Sequence, residues 1–170
     1  MKKRWLSLYV ENDVGVLAKV SGLFAGKNYN LESLTVGITN DPTVSRMTIG
    51  LRSDDNTFEQ IKKQLNRCVE VIKVMDLTKI PFHAKEIMFL SLEECTGEEI
   101  AEAFRVAKVY PISMIHYGTD NVLFECLQSE EENNDLIKIF NSKFHKVQIV
   151  RGGSVAIEKK YSASQRPTTD

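Results

Sequence analysis

Apolar residues at every second position open the chain. Leu6, Leu8 and Val10 share one face, which predicts a β-strand with one buried side. The period then becomes helical, and Asn12 or Asp13 is expected to cap the start of the helix. One face of this predicted helix carries five apolar residues, Val16, Leu17, Val20, Leu23 and Phe24.

The rest of the first half adds three strands and a second helix. Strands are predicted over residues 30–38, 45–51 and 69–77, and a capped helix is predicted to begin near Asn56. Asn28 is expected to end the first helix in the left-handed conformation. The order strand–helix–strand–strand–helix–strand is that of the split βαβ arrangement in ferredoxin-like sandwiches.

The same order repeats after a short predicted linker at residues 80–83. Two capping boxes mark the helix starts, Thr96 with Glu99 and Ser129 with Glu132. The predicted strands of this half span residues 86–92, 109–117, 121–127 and 146–150. The fold class is therefore predicted to be α+β, with two tandem ferredoxin-like βαββαβ sandwiches.

The repeat places the domain boundaries. We expect a first domain over residues 1–78, a second over 84–158, and a polar tail over 159–170 that is disordered. Each predicted sandwich has a thin core and exposed sheet edges, and such edges invite pairing with another chain. A homodimer is the expected result.

Composition limits the classes of function. The apolar content of 42% and charged content of 26% are typical of a soluble globular protein. The net charge of -1 predicts no basic surface for nucleic acid or a membrane, and no apolar run is long enough to span a bilayer. The cysteines at 68, 95 and 126 are far apart and odd in number, which predicts reduced thiols in a cytoplasmic protein.

Groups that perform catalysis or bind metals are not found together in the sequence. His83, His116 and His145 are isolated, and no pair has the spacing of metal ligands. The paired glutamates stand at predicted helix starts, where they favour the helix dipole. We therefore predict no catalytic residue and no metal site.

A glycine at the start of the first helix is the most informative position. Gly15 leaves backbone N–H groups open to a docking anion, and Asn30, which opens the next strand, is expected to reach the same place. This pattern is typical of a small-molecule sensor. Two plainer interpretations stay open: Gly15 could be an ordinary helix-start glycine, and Asn30 could only cap a turn.

Ordered motifs occur in eight short segments, at residues 11–17, 22–24, 29–36, 41–49, 60–65, 85–88, 104–105 and 151–153. Together they resemble the ACT domain family and, within it, the regulatory small subunits of acetolactate synthase. The resemblance is strongest over roughly residues 1–78 and weaker from residue 84 on.

The resemblance implies feedback control of another subunit. In that family a catalytic large subunit, with thiamine diphosphate, FAD and magnesium, condenses pyruvate into acetolactate or combines it with 2-oxobutyrate. The small subunit activates that enzyme and confers inhibition by a branched-chain amino acid, usually valine. The resemblance therefore implies no cofactor on this chain, a large-subunit partner, and an amino-acid effector held between the ACT domains of two protomers.

The resemblance also implies which residues meet the effector. Asn12, Gly15 and Asn30 are the expected contacts. Five apolar residues are expected nearby, Val14, Val16, Leu17, Leu34 and Val36. Such a set suits the ligand, because free N–H groups match a carboxylate, an amide oxygen matches an ammonium and aliphatic walls match a branched side chain.

Two other functions remain open at this point. A free-standing ACT sensor could control a different enzyme or a transcription factor. An enzyme in its own right is disfavoured, because the sequence offers no activated nucleophile or acid–base cluster.

Overall fold

The computed structural model describes residues 1–160. The first half forms two helices and four strands, bounded as follows: β1 Lys2–Glu11, α1 Val16–Gly26, β2 Leu31–Ile38, β3 Val44–Ser53, α2 Asp55–Leu65 and β4 Val71–Asp76. The second half repeats them: β5 Phe82–Leu92, α3 Gly97–Val109, β6 Ser113–Tyr117, β7 Val122–Gln128, α4 Glu130–Lys143 and β8 Val147–Glu158.

Each half builds one four-stranded sheet. The strand orders are β2-β3-β1-β4 and β6-β7-β5-β8, so the two sheets have the same topology. Five strand pairs are antiparallel: β1·β3, β1·β4, β2·β3, β5·β7 and β6·β7. In each sheet, two strands that are joined through a helix lie on either side of a third. The predicted pair of ferredoxin-like sandwiches is confirmed.

The core of the first sheet lies on its helical face. Leu6, Leu8 and Val10 of β1 are completely buried, as the alternating pattern predicts. They pack with residues of β3 and both helices, including Met47, Ile49, Val20, Phe24, Phe58 and Ile61. The second half has an equivalent core around Leu90, Phe124 and Phe140.

The compact units differ from the predicted domains at two boundaries. Residues 1–84 and 156–160 form one unit, and residues 85–155 form the other. The predicted second domain ran to residue 158, but Ala156 donates its N–H to Thr48 Oγ1 (3.3 Å) and Glu158 pairs with Arg46 (3.0 Å). Both partners belong to β3, so the end of β8 groups with the first sheet.

The predicted linker at residues 80–83 also belongs to the first unit. Phe82 begins β5, and its ring lies 6.2 Å from that of Trp5. Lys159 donates its N–H to the carbonyl of Pro81 at 2.9 Å, which ties the two segments together. We call residues 81–84 and 156–159 the covering ribbon. Most of the predicted polar tail, residues 161–170, lies outside the described residues.

The motif at residues 151–153 has a structural role in the second unit. Arg151 donates two hydrogen bonds to the buried carboxylate of Glu86, from Nε (2.9 Å) and from a terminal nitrogen (2.7 Å). Gly152 has no room for a side chain, because a Cβ there would lie 2.8 Å from Ile87, and Gly153 has a left-handed φ of 79°. β8 therefore continues through the pair of glycines and beyond residue 150, where the predicted strand ended.

Candidate functional site

The start of α1 lacks a side-chain cap. Gly15 is the N-cap residue, with a left-handed φ of 86°, and no side chain closes the helix end. The prediction that Asn12 or Asp13 caps this helix is wrong. The Asp13 carboxylate accepts a hydrogen bond from Val14 N–H at 2.7 Å, so it serves the preceding turn.

Backbone N–H groups are left open in the first turn of α1. Lys19 N–H donates to the Gly15 carbonyl at 2.9 Å, and Val16 N–H approaches the Asp13 carbonyl at 3.4 Å. Within residues 1–160, the N–H groups of Leu17 and Ala18 find no acceptor from the protein. These two donors at the positive end of a helix dipole can receive a carboxylate.

Asn12 lies beside this helix start and is held in place. Its Nδ2 donates to the Pro42 carbonyl at 2.8 Å, and its Oδ1 accepts from Ser45 Oγ at 3.0 Å. The Asn12 N–H also donates to the carbonyl of Thr43 at 2.7 Å. The amide is thus fixed by the β2–β3 turn, and its oxygen keeps a second lone pair for an ammonium group.

Asn30 lies at the other end of α1. The helix has 11 residues, and Asn30 follows it while Gly15 precedes it. At 1.5 Å per residue the helix is about 16 Å long, and the two positions lie beyond its opposite ends. The expectation that Asn30 reaches the helix start is wrong within one chain; it borders a separate cleft of about 570 Å³, lined also by Tyr29 and Thr57.

The five apolar residues expected near the effector divide into two groups. Val16 is only 4% exposed and belongs to the core, and Leu34 packs against that core. Val14, Leu17 and Val36 are 98%, 43% and 47% exposed, although their side chains are apolar. Only the second group can offer side chains to a ligand or a partner at the surface.

A stripe of small residues runs along the outer side of α1. Ala18, Gly22 and Ala25 are all exposed, and a Cβ added at Gly22 would meet no atom within 4 Å. Small residues at this helical spacing favour close packing against another element. No part of the chain within residues 1–160 covers it.

One pair of opposite charges lies near the helix start. Lys19 forms an ion pair with Glu70, and this hydrogen bond raises the pKa of Lys19 and lowers the pKa of Glu70. Lys19 is therefore committed to a protein carboxylate. A ligand anion at this place depends on the backbone N–H groups.

Two neighbours of the site were missed by sequence reasoning. Ser45 was predicted only as part of a strand, yet its hydroxyl orients Asn12. Ile38 lies directly opposite Ser45 in the β2–β3 register and is 67% exposed. The sequence does indicate the position of Ile38, because apolar residues at every second position place it on the same face of β2 as Leu34 and Val36.

The described residues contain no arrangement typical of a metal centre. Within residues 1–160, no three His, Cys, Asp or Glu side chains are grouped to hold an ion. The three cysteines are free thiols. No helix among these residues has the length and apolar character needed to cross a membrane.

Comparisons with known proteins agree along the whole described chain. Residues 6–73 match the model of the AHAS small subunit-like ACT domain, and residues 85–160 match that of the small subunit of acetolactate synthase. The isozyme 3 small subunit of acetolactate synthase from Salmonella typhimurium is 45% identical over 157 residues, covering 92% of this chain and 96% of that protein.

More distant relatives show the same similarity. The acetolactate synthase small subunit of Aquifex aeolicus is 31% identical over 165 residues, covering 97% of this chain and 85% of that protein. The crystal structure of the small subunit from Thermotoga maritima superposes with a TM-score of 0.84 at 28% identity, covering 95% of this chain and 100% of that chain.

Proposed function

Because the chain belongs to the family of acetolactate synthase small subunits, whose first half is an ACT domain, we propose that it activates a catalytic large subunit and makes it sensitive to a branched-chain amino acid. Valine is the expected effector. The controlled reaction is the condensation of pyruvate that leads to valine, leucine and isoleucine.

The uncapped start of α1 is the observation that carries this proposal. It joins two open N–H donors, a fixed Asn12 amide and exposed aliphatic side chains in one unit. These features match the carboxylate, the ammonium and the branched side chain of an α-amino acid. None of these groups has to titrate or attack a bond.

A homodimer would complete this site. Gly15 and Asn30 stand at opposite ends of α1, so one chain cannot bring them together. If two copies pack their first helices antiparallel, Gly15 of one approaches Asn30 of the other. The exposed stripe of Ala18, Gly22 and Ala25 supports such packing, because small side chains let two helices approach closely.

The catalytic chemistry belongs to the partner in this proposal. The large subunit would hold thiamine diphosphate, FAD and magnesium, and this chain would bind none of them. Asn12, Gly15 and Asn30 would contact the effector, with Val14, Leu17 and Val36 beside it. Val16 and Leu34 would support the site from the core.

Reconstitution with a cognate large subunit tests the regulatory role. The purified chain alone should form no acetolactate from pyruvate, and its addition should raise the rate of the large subunit. Valine should then inhibit the mixture but leave the large subunit alone unaffected. Turnover of pyruvate by this chain alone, or a mixture with the rate and valine response of the large subunit alone, would contradict the proposal.

Mass in solution tests the dimer separately. Analytical ultracentrifugation of the full chain at micromolar concentration should give twice the monomer mass of 19.3 kDa. A monomer over the whole micromolar range would rule out an effector site built from two protomers.

A further inference from the structure

We infer that Ile38 is a specificity-determining residue for the effector, forming the wall against which its branched side chain packs. This inference rests on the proposed function. Ile38 is the last residue of β2, and its side chain is 67% exposed. An isoleucine so exposed on the core-facing side of a sheet lacks the cover that its neighbours have.

The strand register places Ile38 beside the polar part of the site. It lies directly opposite Ser45, and residues paired in this way have Cα atoms about 5 Å apart with side chains on the same face. Ser45 Oγ is 3.0 Å from Asn12 Oδ1. The Ile38 side chain is therefore next to the amide that the proposal assigns to the effector's ammonium.

Leu34 and Val36 are less able to select the ligand. Leu34 is four residues earlier on β2, which is about 13 Å along the strand, and it packs against the core. Val36 faces Met47 across the ladder and is 47% exposed. Among these β2 side chains, that of Ile38 is the most exposed and the closest to Asn12 along the strand.

Selectivity among valine, leucine and isoleucine tests this role. Isothermal titration calorimetry on the full chain would compare the wild type with Ile38→Ala. The substitution removes aliphatic contact, and each buried CH₂ group is worth about fourfold in affinity. The Kd for valine should rise at least about fourfold, while leucine, whose longer side chain fills the space, should lose less.

Ile115→Ala is the matched control. Ile115 is 49% exposed on β6, the edge strand of the second sheet that corresponds to β2, so its truncation removes a similar surface outside the unit that contains the site. All three Kd values should stay at the wild-type level in this variant. Ultracentrifugation should show the wild-type assembly state for both variants.

The outcomes separate this inference from the proposed function. If the wild type binds valine and Ile38→Ala changes all three Kd values equally or not at all, Ile38 does not set specificity and the inference is overturned. Loss of the dimer together with all binding would make Ile38 an interface residue and would also overturn it. If the wild type binds none of the three amino acids, the proposed effector class itself fails.

Discussion

The helices α1 and α3 occupy the same position in two copies of one topology, yet their first turns are built differently. Thr96 and Glu99 close the start of α3 reciprocally: Glu99 N–H donates to Thr96 Oγ1 at 3.2 Å, and Thr96 N–H donates to Glu99 Oε2 at 2.9 Å. The start of α1 has only Gly15, without a side chain. The start of α3 therefore satisfies its own N–H donors through side chains, and the start of α1 does not.

The other two helices strengthen this contrast. Asp54 caps α2 through Thr57 N–H, and Ser129 with Glu132 forms a capping box at α4. Among the four α-helices of residues 1–160, α1 alone is described without a side-chain cap. A cap is worth about 1 kcal/mol, so its omission at α1 is a cost that a bound carboxylate can offset.

Gly15→Asp, at the uncapped start of α1, should have the largest effect on effector binding. The new carboxylate would stand where the effector's carboxylate docks, and repulsion with steric conflict should cost about 2 to 3 kcal/mol of binding, at least a tenfold rise in Kd. Folding should survive, because a Cβ at Gly15 meets no atom within 4 Å. The left-handed φ of 86° adds about 1 kcal/mol of strain. Calorimetry and circular dichroism measure the two effects.

Gly97→Asp is the control for that substitution. It puts the same charge at the first residue of α3, where a Cβ also meets no atom within 4 Å. Effector affinity should not change in this variant.

Asn30→Ala should weaken effector binding, as Gly15→Asp does, because it removes a polar partner. If Gly15→Asp and Asn30→Ala both fold and bind with wild-type affinity, the effector lies elsewhere.

Thr96→Ala should have an effect of intermediate size, on the stability of the capped start of α3. Loss of an N-cap hydroxyl costs about 1 kcal/mol, and here it opens one half of a capping box. Hydrogen exchange should show faster opening of α3 amides, while the effector Kd stays at its wild-type value. Unchanged protection of α3 would mean that Glu99 alone closes this helix start.

Acid should loosen the start of α3 in a pH-dependent way. The pKa of Glu99 is lowered to about 2, first by its hydrogen bond to His145 and then by the Thr96 backbone. Because the folded pKa is below the ordinary value of about 4.3, the stabilisation is complete above that value and is lost as pH falls towards about 2.

Glu99→Gln isolates this titration. Protection factors of α3 amides in the wild type should exceed those of the variant at pH 6, and the difference should shrink as the pH approaches 2. A difference that stays constant across this range would show that the charge of Glu99 does not stabilise the helix.

Local signals predicted much of this structure. The spacing of Thr96 and Glu99 is sufficient to find a helix start, because both partners lie within one turn. Asn28 has the left-handed φ of 58° that its position after α1 predicted. Both features are determined by residues that are close in sequence, so the local sequence is sufficient to predict them.

Two differences from the sequence-based expectations have a common physical cause. Asn is a favoured residue at helix N-caps. The side chain of Asn12 instead bonds the carbonyl of Pro42 and the hydroxyl of Ser45, which are distant in sequence. The grouping of Ala156 with Thr48 depends likewise on a contact across 108 positions. Long-range contacts leave no local pattern, and here they decided both the cap of α1 and the end of the second domain.

The covering ribbon gives the chain an order of assembly during synthesis. The first unit contains residues 1–84, yet its ribbon is completed only by residues 156–159, after the whole second unit has been translated. At roughly 5 to 20 residues per second, roughly 4 to 14 s pass between the synthesis of residue 84 and that of residue 156. During this interval the Arg46 guanidinium lacks Glu158, so a ribosome-bound chain truncated before residue 156 should be more susceptible to proteolysis in its first unit than the released protein.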